Sequence, residues 1–159
     1  MEQLGPDVSV RSESAEPSLN ALAAVSAVRR DATLCLTSAL VHHGLRDLAP
    51  VDVDIALPRG TRRPAGIDGV AWHSFDPVTF GIGREVAELP GGPVVAIYSA
   101  ERTIVDSFRL RHQGSGGVAQ EALRRWVACR GNSPAKLLAV AASFPRAEPS
   151  IRQALAVLR

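Results

Sequence analysis

Asp52 and Asp54, in the run VDVDIAL, have the spacing of a metal-holding carboxylate pair. Residues i and i+2 of a strand project from one face, where two carboxylates could hold Mg²⁺ against triphosphate oxygens. Nucleotidyl transfer of that kind also needs a Gly-Ser turn upstream to bind phosphate. The upstream candidate is Thr37-Ser38, without the glycine, and GSGG at 114–117 lies on the wrong side of the strand. Simple alternation in a half-exposed strand accounts for both aspartates as a solvent face.

His42 and His43, with Cys35 nearby, raise the question of zinc. Adjacent helical residues point about 100° apart, so they rarely ligate one ion together, and neither CxxC nor HxxxH spacing occurs. Packing, or charge at a helix C-terminus, explains the histidines better. His73 and His112 stand alone in the sequence. GxSxG and Walker motifs are absent, and Gly81-Ile82-Gly83 starts like a dinucleotide fingerprint but has Val86 at the third glycine position. No cofactor and no catalytic residue is expected.

Arginine forms the other clusters. Arg59, Arg62 and Arg63 crowd the loop RGTRRP, where forked guanidiniums suit phosphate oxygens and also confer solubility. Arg102, Asp106 and Arg109 fall on one helix face, a ladder that ordinarily braces a helix surface. Arg124 and Arg125 occupy the polar side of the next helix. These seven arginines are the candidate contacts for a nucleic acid or protein partner.

The elements that must position these residues follow from periodicity. SLNALAAVSAVRR predicts a helix capped by Ser18, with Leu19, Leu22, Val25 and Val28 as its stripe, and LCLTSALVHHGL predicts a second ending at Gly44. VDVDIAL, VAWHSF, REVAEL and VVAIY read as four short strands separated by Gly and Pro turns. Val51, Val53, Ile55 and Leu57 should share the buried face of the first. Ser99 caps a helix burying Ile104, Val105 and Phe108. GSGG breaks the chain before VAQEALRRWVACR, which buries Ala119, Ala122, Leu123 and Trp126. Ser133-Pro134 and Glu148-Pro149 open two more helices. The expected fold is α+β: N-terminal helices, a small, mostly antiparallel four-stranded sheet, and a C-terminal helical bundle.

Composition agrees with one compact unit. Of 159 residues, 46% are hydrophobic and 21% charged, which excludes wholesale disorder. Residues 1–17 are acidic, polar and aperiodic, so they read as a disordered leader and not as a secretory signal, followed by a single domain over 18–159. No run reaches the ~18 apolar residues of a membrane span, and Cys35 and Cys129 read as reduced core thiols of a cytoplasmic protein. The charge is uneven: residues 1–98 hold 8 basic and 12 acidic side chains, and residues 99–159 hold 10 and 4. A basic final third suits an anionic partner or a solvated surface.

LCLTSALVHHGL, VDVDIALPRGTRRP, and IYSAERTIVDSFRLR followed by VAQEALRRW, taken in that order, resemble the C-terminal domain of AbiEi-type antitoxins of type IV toxin–antitoxin systems. The resemblance covers residues 33–159, and its most specific part is "YS-ERT-VD-FR" before the "EALR" helix. It implies a non-enzymatic antitoxin, linked to abortive infection, that opposes a nucleotidyltransferase toxin encoded beside it. Many such antitoxins also repress their operon through an N-terminal winged helix-turn-helix. Only about 30 residues precede LCLTSAL, and a winged helix needs more than the one helix found there. The antitoxin role, more than operon DNA binding, is therefore what the resemblance implies. Two alternatives remain from the residues themselves: a nucleic-acid-binding module using the basic C-terminal helices, and a nucleotidyltransferase using Asp52 and Asp54.

Overall fold

A computed structural model describes residues 18–111 and 116–158; the expected leader 1–17 and the start of GSGG lie outside the described residues. The chain begins with α1 (18–28), then β1 (Thr33–Leu34) and α2 (Leu36–His42). Four strands follow: β2 (Val53–Pro58), β3 (Val70–Phe75), β4 (Arg84–Glu88) and β5 (Val94–Tyr98). Four helices complete it: α3 (Ala100–Arg109), α4 (Gly116–Ala128), α5 (Pro134–Ala141) and α6 (Glu148–Leu158).

The fold is α+β, but its sheet corrects the sequence expectation. It has five strands in the order β3-β2-β1-β5-β4, and it is mixed. β1 pairs antiparallel with β2 and parallel with β5, β2 pairs parallel with β3, and β4 pairs antiparallel with β5. Two physical reasons explain the miss. β1 is two residues long, too short to show any alternation, and it exists because β2 and β5 both offer it backbone partners. The connection between β2 and β3 resembles a string of turns, yet it carries the chain back to the same end of the sheet, so the pairing is parallel.

The sheet separates two apolar layers. Leu22 and Val25 of α1 pack with Val53, Ile55, Leu57, Val95 and Ile97 on one face. The other face carries Ala56, Phe75 and Tyr98. Beyond it, α3 packs against α2, α4, α5 and α6, burying Ile104, Phe108, Leu123, Trp126, Leu137, Ile151 and Leu155 together. β2 is therefore buried along nearly its whole length rather than half exposed. Val51, expected on its buried face, is fully exposed because the strand starts only at Val53. Val28 is 64% exposed because α1 ends there. Ser18 is already helical, and Gly116 and Gly117 of GSGG belong to α4.

The starts of α3 and α5 are as expected. The Ser99 hydroxyl accepts from the Arg102 amide at 3.1 Å, and the Ser133 hydroxyl accepts from the Lys136 amide at 3.4 Å with Pro134 opening the helix. At the sheet's outer edge, Arg84, Glu85 and Glu88 of β4 blunt further pairing with charge. Among the described residues no helix is long and apolar enough to cross a membrane.

Candidate functional site

The most specific motif of the sequence forms the interior joint between sheet and helices. Arg102, in the first turn of α3, has a side chain with no exposure at all. Its Nε donates to both oxygens of Asp106, each at 3.0 Å, and Asp106 is equally buried. Its Nη1 donates to the carbonyls of Thr79 at 2.9 Å and Ile82 at 2.7 Å, in the β3–β4 connection. Nη2 is buried without a hydrogen-bond partner. The guanidinium carbon lies 4.2 Å from the Tyr98 ring centre and 4.7 Å from that of Phe144, so ring faces take the place of an acceptor.

Gly83 makes this approach possible. Its φ is +73°, and a Cβ there would sit 2.6 Å from the Cβ of Arg102. The Gly83 carbonyl also accepts from the Ser99 amide at 2.7 Å. The Gly81-Ile82-Gly83 turn is thus a latch for the start of α3, not the beginning of a phosphate loop. The Tyr98 hydroxyl closes the same region by donating to the Phe80 carbonyl at 2.6 Å, and burial pushes its phenol well above the ordinary range. Glu101, in the positive first turn of α3, is buried and accepts from the Trp126 indole at 3.3 Å.

Arg102 therefore does not belong among the partner contacts, and its ladder with Asp106 lies inside rather than on a surface. With Nε and Nη1 hydrogen-bonded, Nη2 buried among aromatic rings and no surface open to solvent, this guanidinium is out of a partner's reach. Arg109 differs. Its Nε donates to Asp106 Oδ1 at 2.8 Å, its guanidinium carbon lies 4.7 Å from the Phe75 ring, and it keeps 23% of its surface.

Arg109 opens into a cleft of about 750 Å³ between the end of α3, the β3–β4 connection and the α5–α6 connection. Arg111 and Arg146 line it as well. Neither was singled out by spacing, because the three arginines converge only when α6 folds back beside α3. Arg111 Nη2 donates to the Ser150 hydroxyl at 3.2 Å, tying the segment just after α3 to α6.

The remaining arginine candidates are scattered. Arg59, Arg62 and Arg63 are exposed on the β2–β3 connection, with Arg59 3.9 Å from Asp76. Arg124 pairs with Glu121, and Arg125 makes paired bonds of 2.9 Å to Asp47 as well as one to Glu121. Those hydrogen bonds hold the Asp47 carboxyl below its usual range. α4 thus presents arginines already matched by acids.

Asp52 and Asp54 do not act as a pair. Asp52 precedes β2 and is exposed, while Asp54 is buried. Asp54 Oδ2 accepts from the Ser38 amide at 3.1 Å and the Ser38 hydroxyl at 3.2 Å, and Oδ1 accepts from His73 Nε2 at 2.9 Å. His73, solitary in the sequence, thus has a partner that the parallel β2–β3 pairing brings beside it. The three side chains join α2, β2 and β3. His43 donates to the Tyr98 carbonyl at 2.8 Å. Among the described residues no three of His, Cys, Asp or Glu converge as a metal site would require. Cys35 is a buried thiol held well above its ordinary pKa by burial and by Asp54, but Cys129 is exposed, contrary to its expected core position.

No protein-family model matches this chain, and no curated protein matches it.

Proposed function

We propose that the protein is a non-enzymatic antitoxin of the AbiEi kind, acting in the cytoplasm against a nucleotidyltransferase toxin. The observation that supports this reading is that YSAERTIVDSFR, the stretch carrying the resemblance, is one connected unit. Tyr98 fastens it to the β3–β4 connection, Ser99 caps it, and Arg102 and Asp106 tie it to the same connection. A pattern with that many structural duties supports reading the resemblance as one of the domain rather than of an isolated run.

The nucleotidyltransferase alternative is weakened by geometry. Asp54 is enclosed by Ser38 and His73, and Asp52 does not share its face. The nucleic-acid alternative through α4 is weakened by Glu121 and Asp47, which already meet Arg124 and Arg125.

Growth rescue tests the proposal. Cells arrested by a nucleotidyltransferase toxin taken from the same genome should recover when this chain is co-expressed. Persistent arrest, with the chain soluble and folded in the same cells, overturns the reading. Binding to operon DNA, titrated at two salt concentrations, separates a regulatory role from protection, because phosphate contacts weaken steeply with salt.

A further inference from the structure

The cleft at the end of α3 gathers cations that the fold does not consume. Arg109 is fixed through its Nε by Asp106 and flanked by the rings of Phe75 and Phe144, and no described residue accepts from its two terminal nitrogens. Arg111 is steadied by Ser150 and lies 5.4 Å over the Phe108 ring. Arg146 is exposed and has no ion-pair partner among the described residues. Asp76 is the one carboxylate on the lining, and it accepts from the Val78 amide at 2.9 Å.

Three features narrow the ligand. Planar guanidinium forks match phosphate oxygens, and two of the three are pre-oriented, which lowers the ordering cost of binding. The lining beside them is apolar, the exposed Pro145 with the largely buried Phe108, Phe144 and Ala147 behind it, and phosphate alone would make no use of it. The volume, about 750 Å³, lies within the range of small-molecule sites. We propose that this cleft binds a phosphate ester of nucleotide size, with Arg109, Arg111 and Arg146 on the phosphates and the nucleoside against the Phe144–Pro145 wall. This goes beyond the antitoxin reading and does not rest on it, since the ligand is assigned from the cleft alone.

Calorimetric titration of the full chain with AMP, ADP, ATP and pyrophosphate at low salt tests it, without any toxin present. The expected result is saturable binding that tightens from AMP to ATP, with ATP bound more tightly than pyrophosphate. Arg146→Ala and Arg111→Gln should each weaken ATP about tenfold, the loss of one charge-assisted contact, while Lys136→Ala on α5 keeps the parent affinity. Circular dichroism confirms that each variant is folded. Absence of saturable nucleotide binding overturns the proposal. So does pyrophosphate binding as tightly as ATP, an equal loss in Lys136→Ala, or binding of a single-stranded oligonucleotide by a chain that ignores free nucleotides. Failure here leaves growth rescue untouched, and failed rescue leaves this binding untouched.

Discussion

α3 and α4 carry charge patterns that look alike on paper and behave as opposites in space. Both place arginines three or four residues from an acid: Arg102 and Arg109 around Asp106, Arg124 and Arg125 after Glu121. In α3 the central pair is shut away from water; in α4 the Arg124 side chain keeps 61% of its surface. The difference comes from the number of neighbours. α3 packs against α2, α4, α5 and α6 and starts directly from β5, so even its polar side meets protein. Helical spacing tells which side chains meet each other, but not whether a third element covers them.

The largest expected effect comes from breaking the buried pair. Asp106→Asn leaves Arg102 charged and uncompensated in the interior, and should cost about 3–5 kcal/mol in urea unfolding. Arg102→Met combined with Asp106→Leu should regain part of that loss. Recovery stays incomplete because the Ile82 carbonyl loses its donor and the Thr79 carbonyl keeps only the Ile82 amide. A change no larger than that of a surface substitution for Asp106→Asn would show that the joint is not what holds α3 in place.

Gly83→Ala sharpens the same contrast. The new Cβ meets the stem of Arg102 in a backbone conformation that disfavours side chains, at a cost of about 2–3 kcal/mol by thermal unfolding. Gly117→Ala, at the exposed start of α4, has open space around it and should be close to neutral.

Tyr98→Phe comes next. Leaving the Phe80 carbonyl without its donor should cost about 1–2 kcal/mol. The hydroxyl also gives the protein a pH signature. Burial raises the phenol's pKa in the folded state, so above pH ~10 the unfolded chain releases a proton that the folded one retains. Stability is complete below that pH and falls as pH rises beyond it. Urea titrations through the alkaline range should show a shallower fall in Tyr98→Phe than in the parent.

The smallest effect is expected at α4. Arg124→Ala with Arg125→Ala should unfold together with the parent, because exposed ion pairs contribute little. A clear drop in melting temperature would mean that the Asp47–Arg125 contact braces the loop after α2, and the contrast between the two helices would narrow.

The residues explain which parts of this were legible. The caps at Ser99 and Ser133 could be read because a cap is a local contact between a side chain and an amide three residues on. The apolar stripes at Ile104, Val105, Phe108, Leu123 and Trp126 could be read because each repeats every turn. Arg111 and Arg146 carried no signal, since 35 positions separate them in the chain and the cleft exists only after α6 returns to α3. His73 and Asp54 were equally unreadable as partners, because an antiparallel sheet would have placed them differently.

The sequence by itself determined where α3, α5 and α6 begin, which faces of the later helices are apolar, and that strands precede a helical final third, all consequences of short-range periodicity and capping. The tertiary structure alone decided that β1 exists, that β2 runs parallel to β3, that Arg102 is interior, and that three distant arginines share one cleft. Those outcomes depend on which elements cover one another, and burial of a charge is set by the far side of the contact, which the charged residue's own neighbours in the chain do not encode.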